Sequence, residues 1–159
     1  IMELLKGRDI KIVVDATKEL LVKSLPYGPF LIKPNNYELG EIFGVRLTTR
    51  SSVIPYAKKL QNMGARNVLV SMAGEGAVLV SDDGQVIDAP APEGKLINGV
   101  GAGDSMVAGF MAGYLARHDY NHAFCMGVAS GSASAFSENL ATKEEIEKVY
   151  KTIVLEEKV

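Results

Sequence analysis

The 159 residues are 47% hydrophobic and 23% charged, an ordinary balance for a chain that buries one core. A net charge of −2 argues against a nucleic-acid or anionic-membrane partner. The single cysteine, Cys125, excludes an internal disulfide and suits a reducing, cytoplasmic setting. No apolar run is long enough to span a bilayer, and no stretch reads as a signal peptide.

In chain order, Lys11 to Asp15 is a short β-branched run that predicts a buried strand with Asp15 at its C-terminal edge. Thr17 to Leu25 carries apolar residues at helical spacing and stops before Pro26. Phe30 to Ile32 predicts a second strand, and Asn36 to Phe43 a short helix closed by Gly44. Ser51 to Met63 predicts another helix, with Ile54, Ala57, Leu60 and Met63 on one face and Gly64 as its stop. Asn67 to Ser71 is a third apolar strand. The chain then turns through Ala73-Gly74-Glu75-Gly76 and returns as Ala77 to Val80. Asp82-Asp83-Gly84 is a hairpin turn leading to Gln85–Ala89. After a loop from Ala91 to Leu96, helices are expected from the glycine-rich stretch to about Arg117, over His122 to Phe136, and over Thr142 to Lys151. Thr142 and Glu145 stand at capping-box spacing in the last of these. Strands alternating with helices predict an α/β fold, a mainly parallel sheet flanked by helices, with a β-hairpin at one edge.

The stretch Asn98-Gly99-Val100-Gly101-Ala102-Gly103-Asp104-Ser105-Met106 concentrates the chemistry. Glycines let the backbone approach a ligand, and the first turn of a helix offers N–H donors and partial positive charge. Together they make an anion site. Asp104, set just beside that hole, can take a proton from a hydroxyl that attacks a bound phosphate; it can also be a cap or dipole partner only. The stretch is not a Walker A loop, because no Gly-Lys-Ser/Thr follows, and it breaks the G-x-G-x-x-G fingerprint at Asp104.

Two further motifs follow predicted strands. In Lys33-Pro34-Asn35-Asn36-Tyr37-Glu38, Asn35 and Glu38 are either a capping box or a pair that organises Mg²⁺ and phosphate. Ser71-Met72-Ala73-Gly74-Glu75-Gly76 is either a plain turn or a seat for a nucleotide tail. Small residues recur four apart at Ala108, Ala112 and Ala116, at Gly109 and Gly113, and at Gly127, Gly131 and Ala135. Such ridges let helices pack closely; a face of this kind also leaves room for a flat ring such as adenine. Asp15 reads as a helix cap or a catalytic carboxylate. His118 and His122 lack metal-ligand spacing, Cys125 reads as a small buried hydrophobe, and Lys143 to Lys148 as a solvated helix face.

Taken together, these motifs resemble the ribokinase-like sugar kinases, the phosphofructokinase B type of carbohydrate kinase. Residues 98–111 look like that family's C-terminal signature, Asn35 and Glu38 match its Asn-x-x-Glu motif, and Ser71 to Gly76 its nucleotide-binding turn. Gly99 departs from the signature, which usually has Ser, Thr, Pro or Val there. Within the family, residues 33–35 and 100–106 look most like members acting on fructose 1-phosphate and tagatose 6-phosphate.

The resemblance implies transfer of the γ-phosphoryl of ATP, with Mg²⁺, to a hydroxyl of a sugar phosphate. It implies Asp104 as general base and the N–H groups of Gly101, Ala102 and Gly103 as the anion hole. Asn35 and Glu38 would organise Mg²⁺ and phosphate. Ser71, Met72, Ala73, Gly74, Glu75, Gly76 and Gly103 would line the nucleotide, with Gly127, Val128 and Gly131 against adenine. Family chains are about twice as long, and the glycine-rich sugar signature and β-sheet lid of their N-terminal half have no counterpart here. Residues 1–159 are therefore expected to be the C-terminal, nucleotide-binding half of such a kinase, inactive alone and self-associating as a homo-oligomer. Three alternatives stay open: a kinase of the same family acting on another sugar or a nucleoside, a nucleotide-binding regulatory domain without turnover, and a dinucleotide oxidoreductase. The oxidoreductase would need an acidic residue about twenty positions on, at the end of a following strand, where the chain offers only Asp119.

Overall fold

The computed structural model describes residues 1–5 and 7–157. They form two compact units, one of residues 1–72 with 78–86, the other of residues 73–77 with 87 onward.

In the first unit, a short helix α1 (Met2–Leu5) precedes β1 (Val13–Val14), α2 (Lys18–Ser24), β2 (Leu31–Ile32), α3 (Asn36–Phe43), α4 (Arg50–Asn62), β3 (Asn67–Ser71) and β4 (Ala77–Val80). The strands lie in the order β1-β2-β3-β4. β1 and β2 are parallel, with Val13 opposite Leu31, and β2 and β3 are parallel, with Leu31 opposite Asn67. Parallel neighbours require crossover connections, and α2, α3 and α4 supply them. The apolar runs of β2, β3 and β4 are buried along almost their whole length, as strands covered on both faces must be. One core joins Leu21, Leu25, Ile32, Leu39, Val53, Ala57, Leu60, Val68, Val70, Val78 and Val80.

Local chemistry explains where these elements start and stop. α4 opens on a capping box between Thr49 and Ser52 and runs through Pro55. Ala57 and Leu60 are buried as expected, but Val53 rather than Ile54 is the third buried residue of the face; Ile54 is half-buried, and Met63, past the last turn, is 41% exposed. Only Val13 and Val14 of the expected strand from Lys11 to Asp15 pair. α2 ends at Ser24, and a 3₁₀ turn carries Pro26 in its first positions, where a missing N–H costs nothing. The expected hairpin turn closes with Ser81 N–H to Gln85 O (3.1 Å) and Gly84 N–H to Ser81 O (3.0 Å). Asp83 accepts bonds from the Ser81 hydroxyl and the Gln85 amide there; burial opposes its ionisation, yet these bonds outweigh it and lower its pKa. Buried Asn67 fastens strand ends together, donating to Phe30 O and accepting from Asp82 N–H.

The second unit holds β5 (Val86–Ala89), α5 (Ala102–Arg117), α6 (Tyr120–Ala135), α7 (Lys143–Tyr150) and β6 (Glu156–Glu157), which pairs antiparallel with β5. α6 starts two residues earlier than the sequence suggests, because the Asp119 side chain accepts the Asn121 N–H and caps it. α7 opens on the expected Thr142–Glu145 capping box. α5 and α6 pack backbone against backbone. A Cβ on Gly109 would collide with Ser130 Oγ and lie 2.5 Å from Met126 O; one on Gly113 would lie 3.0 Å from Ala123 Cα. Phe110 and Phe124 are fully buried in the same unit.

Candidate active site

The C-terminal ends of three parallel strands carry polar motifs side by side in the first unit. Asn35 forms an isolated parallel bridge with Ser71, and Ser71 N–H donates to Pro34 O at 3.2 Å. The sheet therefore brings the Lys33–Glu38 and Ser71 motifs together, at the strand end where open α/β sheets bind ligands. Asn35 Oδ1 accepts the N–H groups of Tyr37 and Glu38, both at 2.9 Å, while Glu38 Oε2 accepts Asn35 N–H at 2.8 Å. The capping box is thus formed. It also holds the half-buried Glu38 carboxylate at the lip of the strand end. Asp15, at the end of β1, does not cap α2, whose N-cap is Thr17; it pairs instead with the buried ammonium of Lys33 at 3.3 Å. Lys33 was not singled out from the sequence. Its position directly before Pro34-Asn35 at a strand end was the available signal.

In the second unit the glycine-rich stretch opens α5 as expected. Gly101 is its N-cap at φ +78°, ψ −4°, in the left-handed region that favours glycine. Its Cβ, if present, would lie 2.9 Å from Leu140 Cδ2. α3, α4, α6 and α7 all begin with a side chain bonded to a first-turn N–H; α2 and α5 begin with none, and of these two only α5 opens on glycine. A glycine-led helix start of this kind is where anions bind. The Ala102 N–H also makes a long bond to Gly99 O, 3.3 Å, and Ser105 N–H reaches Gly101 O at 2.8 Å. Exposed Asp104 stands in that first turn.

The turn after β3 is a 3₁₀ turn, Ala73–Glu75, with Ala73, Gly74 and Glu75 exposed and Met72 and Gly76 buried. At φ +102°, Gly76 passes so close to Ala89 O that no Cβ fits. Gly127 and Gly131 face α5: added Cβ atoms would lie 3.0 Å from Met106 O and 3.0 Å from Ala102 O, and Val128 is buried. Close packing against α5 is what requires glycine at both positions. Asp119 caps α6 where the oxidoreductase reading requires the end of a strand, which removes that reading. His122 Nδ1 lies 2.9 Å from the Tyr150 hydroxyl; burial, with Arg117 nearby, lowers the His122 pKa. No group of three or more potential metal-ligating side chains occurs among the described residues, and no helix among them is long and apolar enough to cross a membrane.

An open α/β sheet with motifs at its strand ends, and a glycine-led, uncapped helix bearing a carboxylate, is the equipment of a phosphoryl-transfer fold. The family of pfkB carbohydrate kinases matches residues 2–147, and the chain belongs to it. It is 48% identical over 149 residues to a 1-phosphofructokinase of Bacillus subtilis (strain 168), covering 94% of this chain and 49% of that one. It is 31% identical to a D-tagatose-1-phosphate kinase of Bacillus licheniformis, covering 92% of this chain and 48% of that one. Its structure superimposes on phosphofructokinase-2 from Escherichia coli in complex with substrates and products, at a TM-score of 0.83 and 31% identity, over 94% of this chain and 50% of that one. A tetrameric inhibited form of that Escherichia coli protein aligns equally well, TM-score 0.83. The chain spans about half the length of the curated relatives it matches.

Proposed function

We propose that this chain is the nucleotide-side, C-terminal portion of a kinase that transfers the γ-phosphoryl of ATP to a sugar phosphate, fructose 1-phosphate or a tagatose phosphate. The observation that carries the reading is the start of α5, a glycine-led helix whose first turn no side chain caps and which bears Asp104. Phosphoryl transfer asks for positioning and charge stabilisation rather than covalent help. Amides of Gly101, Ala102 and Gly103 receive the transferring group, and Asp104 accepts the proton of the attacking hydroxyl.

The residues present fit a magnesium–nucleotide complex. Mg²⁺ prefers one or two carboxylates with water and substrate phosphates, not an all-protein cage. Glu38, held at the strand end by Asn35, is a carboxylate of that kind. The ion would neutralise phosphate charge. The Ser71–Gly76 turn follows the nucleotide tail, and the helix around Gly127, Val128 and Gly131 lies against adenine. The names of the matched proteins support a sugar-phosphate acceptor. The tetrameric relative supports a homo-oligomer.

The test uses the kinase with its sugar-binding half present, MgATP, and fructose 1-phosphate or a tagatose phosphate as acceptor. Asp104→Asn lowers kcat at least about 10²-fold, the lower range for a lost general base, and leaves ATP affinity intact. Near-normal turnover in that variant sinks the assignment.

A further inference from the structure

The end of α6 and the segment after it are laced to both sides of the glycine turn. On the upstream side, the N–H groups of Ile97 and Asn98 donate to Ala135 O at 2.9 and 3.1 Å, and Asn98 Nδ2 donates to Glu138 O at 3.1 Å. Asn98 Oδ1 in turn accepts Val100 N–H at 3.0 Å. The downstream connection runs through Ser134. Ser134 Oγ donates to Ser105 Oγ at 2.9 Å and accepts Ala141 N–H at 3.1 Å. Ser134 is only 3% exposed, and Ser105 follows Asp104 directly.

We propose that Ser134 is a positioning residue for the phosphoryl-transfer turn, acting through the Ser105 hydroxyl. The proposal rests on the reading of Asp104 and the glycine amides given above. A hydroxyl has one proton to donate, and Ser134 gives it to Ser105 while Ala141 N–H fixes the oxygen from the other side. Its orientation is therefore determined. The first turn of α5 has no side-chain cap of its own, so this relay is what ties the Ser105 side of the turn to the loop that carries Leu140 over Gly101. The reaction depends on the placement of a base and an anion hole relative to each other, and small displacements there are costly. A serine that fixes that placement acts on the chemical step and leaves the affinity for nucleotide alone.

The experiment compares Ser134→Ala, Ser105→Ala, the double variant and Ser134→Thr in the kinase with both halves present, reading kcat, KM for ATP and thermal midpoint. Each alanine variant should lower kcat by about 10- to 100-fold, the range for misplacing reacting groups by an ångström or less, with KM for ATP unchanged. The double variant should be no slower than the slower single variant, because one relay is broken twice. Ser134→Thr, which keeps the hydroxyl, should recover most of the rate. A Ser134→Ala or Ser105→Ala enzyme that turns over at the parent rate overturns the proposal, and so do losses that multiply in the double variant. If Ser134→Ala does not fold, Ser105→Ala at the half-buried end decides by the same criterion. Asp104→Asn run alongside separates the two claims: full activity there removes the underlying reading of the turn, whatever the serine variants do.

Discussion

Glu38 has two jobs that a single substitution can separate. Its Oε2 accepts the Asn35 N–H, and that bond caps α3. Glutamine keeps an oxygen acceptor there and loses the charge. Glu38→Gln should therefore leave the thermal midpoint nearly unchanged and raise the Mg²⁺ concentration needed for half-maximal turnover. An unaltered Mg²⁺ dependence with a fallen midpoint would make Glu38 a cap and nothing more. Cys125 is a second residue whose behaviour follows from its surroundings. Burial, reinforced by the charge of Asp119, pushes its thiol up to about 11. Only the thiolate is an effective nucleophile. At neutral pH the folded chain should react with iodoacetamide at least about 100-fold more slowly than the unfolded chain, a two-unit loss of thiolate. The sign on stability follows too. Between the ordinary thiol range and pH 11 the unfolded chain releases this proton while the folded chain keeps it, so this group's contribution falls as pH rises. Alkylation equally fast with and without denaturant would show that Cys125 is accessible in the native state.

The helix pair α5 and α6 is an arrangement that alanine cannot imitate. An exposed glycine in mid-helix costs about 1 kcal/mol relative to alanine, so propensity alone predicts that Gly109→Ala stabilises the protein. Ser130 Oγ and Met126 O occupy the place of that methyl group, and Met126 O is backbone. The substitution should instead destabilise by about 1–3 kcal/mol, the usual result of overpacking, measured by denaturant unfolding. A stabilised variant would mean that the helices separate at no cost. This packing was half legible in the sequence. Glycines four apart announced a close approach, but whether a helix or a ring would fill it depended on the partner element, which spacing on one helix does not specify. Elements with their own caps were the most legible: Asn35 to Glu38 and Thr142 to Glu145 mark helix starts through bonds made within four residues. The start of α6 lies two residues before His122 because the Asp119 side chain caps it, a bond that apolar spacing does not show. β1 came out shorter than the β-branched run, because pairing with Leu31 and Ile32, not propensity, sets its length.

At the level of the whole chain, the alternation of strands and helices and the glycine-led helix were legible because periodicity and glycine spacing are local. The Lys33–Asp15 ion pair and the Ser134–Ser105 relay were not, since each joins residues far apart in sequence that only the fold brings together. The same scale governs what residues 1–159 do alone. The chain has a buried core around Ile32, Val68 and Val78, formed helix caps, and the uncapped start of α5. It should fold and bind MgATP or MgADP weakly. It should not phosphorylate a sugar phosphate, because it spans about half the length of the kinases it matches, and orienting two reactants is worth about 7–11 kcal/mol of the barrier. It should also self-associate. Leu4, Leu20, Leu96, Val100, Leu115 and Leu140 are each more than half exposed, and apolar surface left open in this way favours association. Sedimentation of the purified chain should show dimers or larger species whose share rises with concentration. The decisive assay incubates it with MgATP and fructose 1-phosphate. Sugar-dependent ADP release at an ordinary kinase rate, about 1–100 per second, would mean that these residues already hold both substrates, and that the acceptor site lies within this chain.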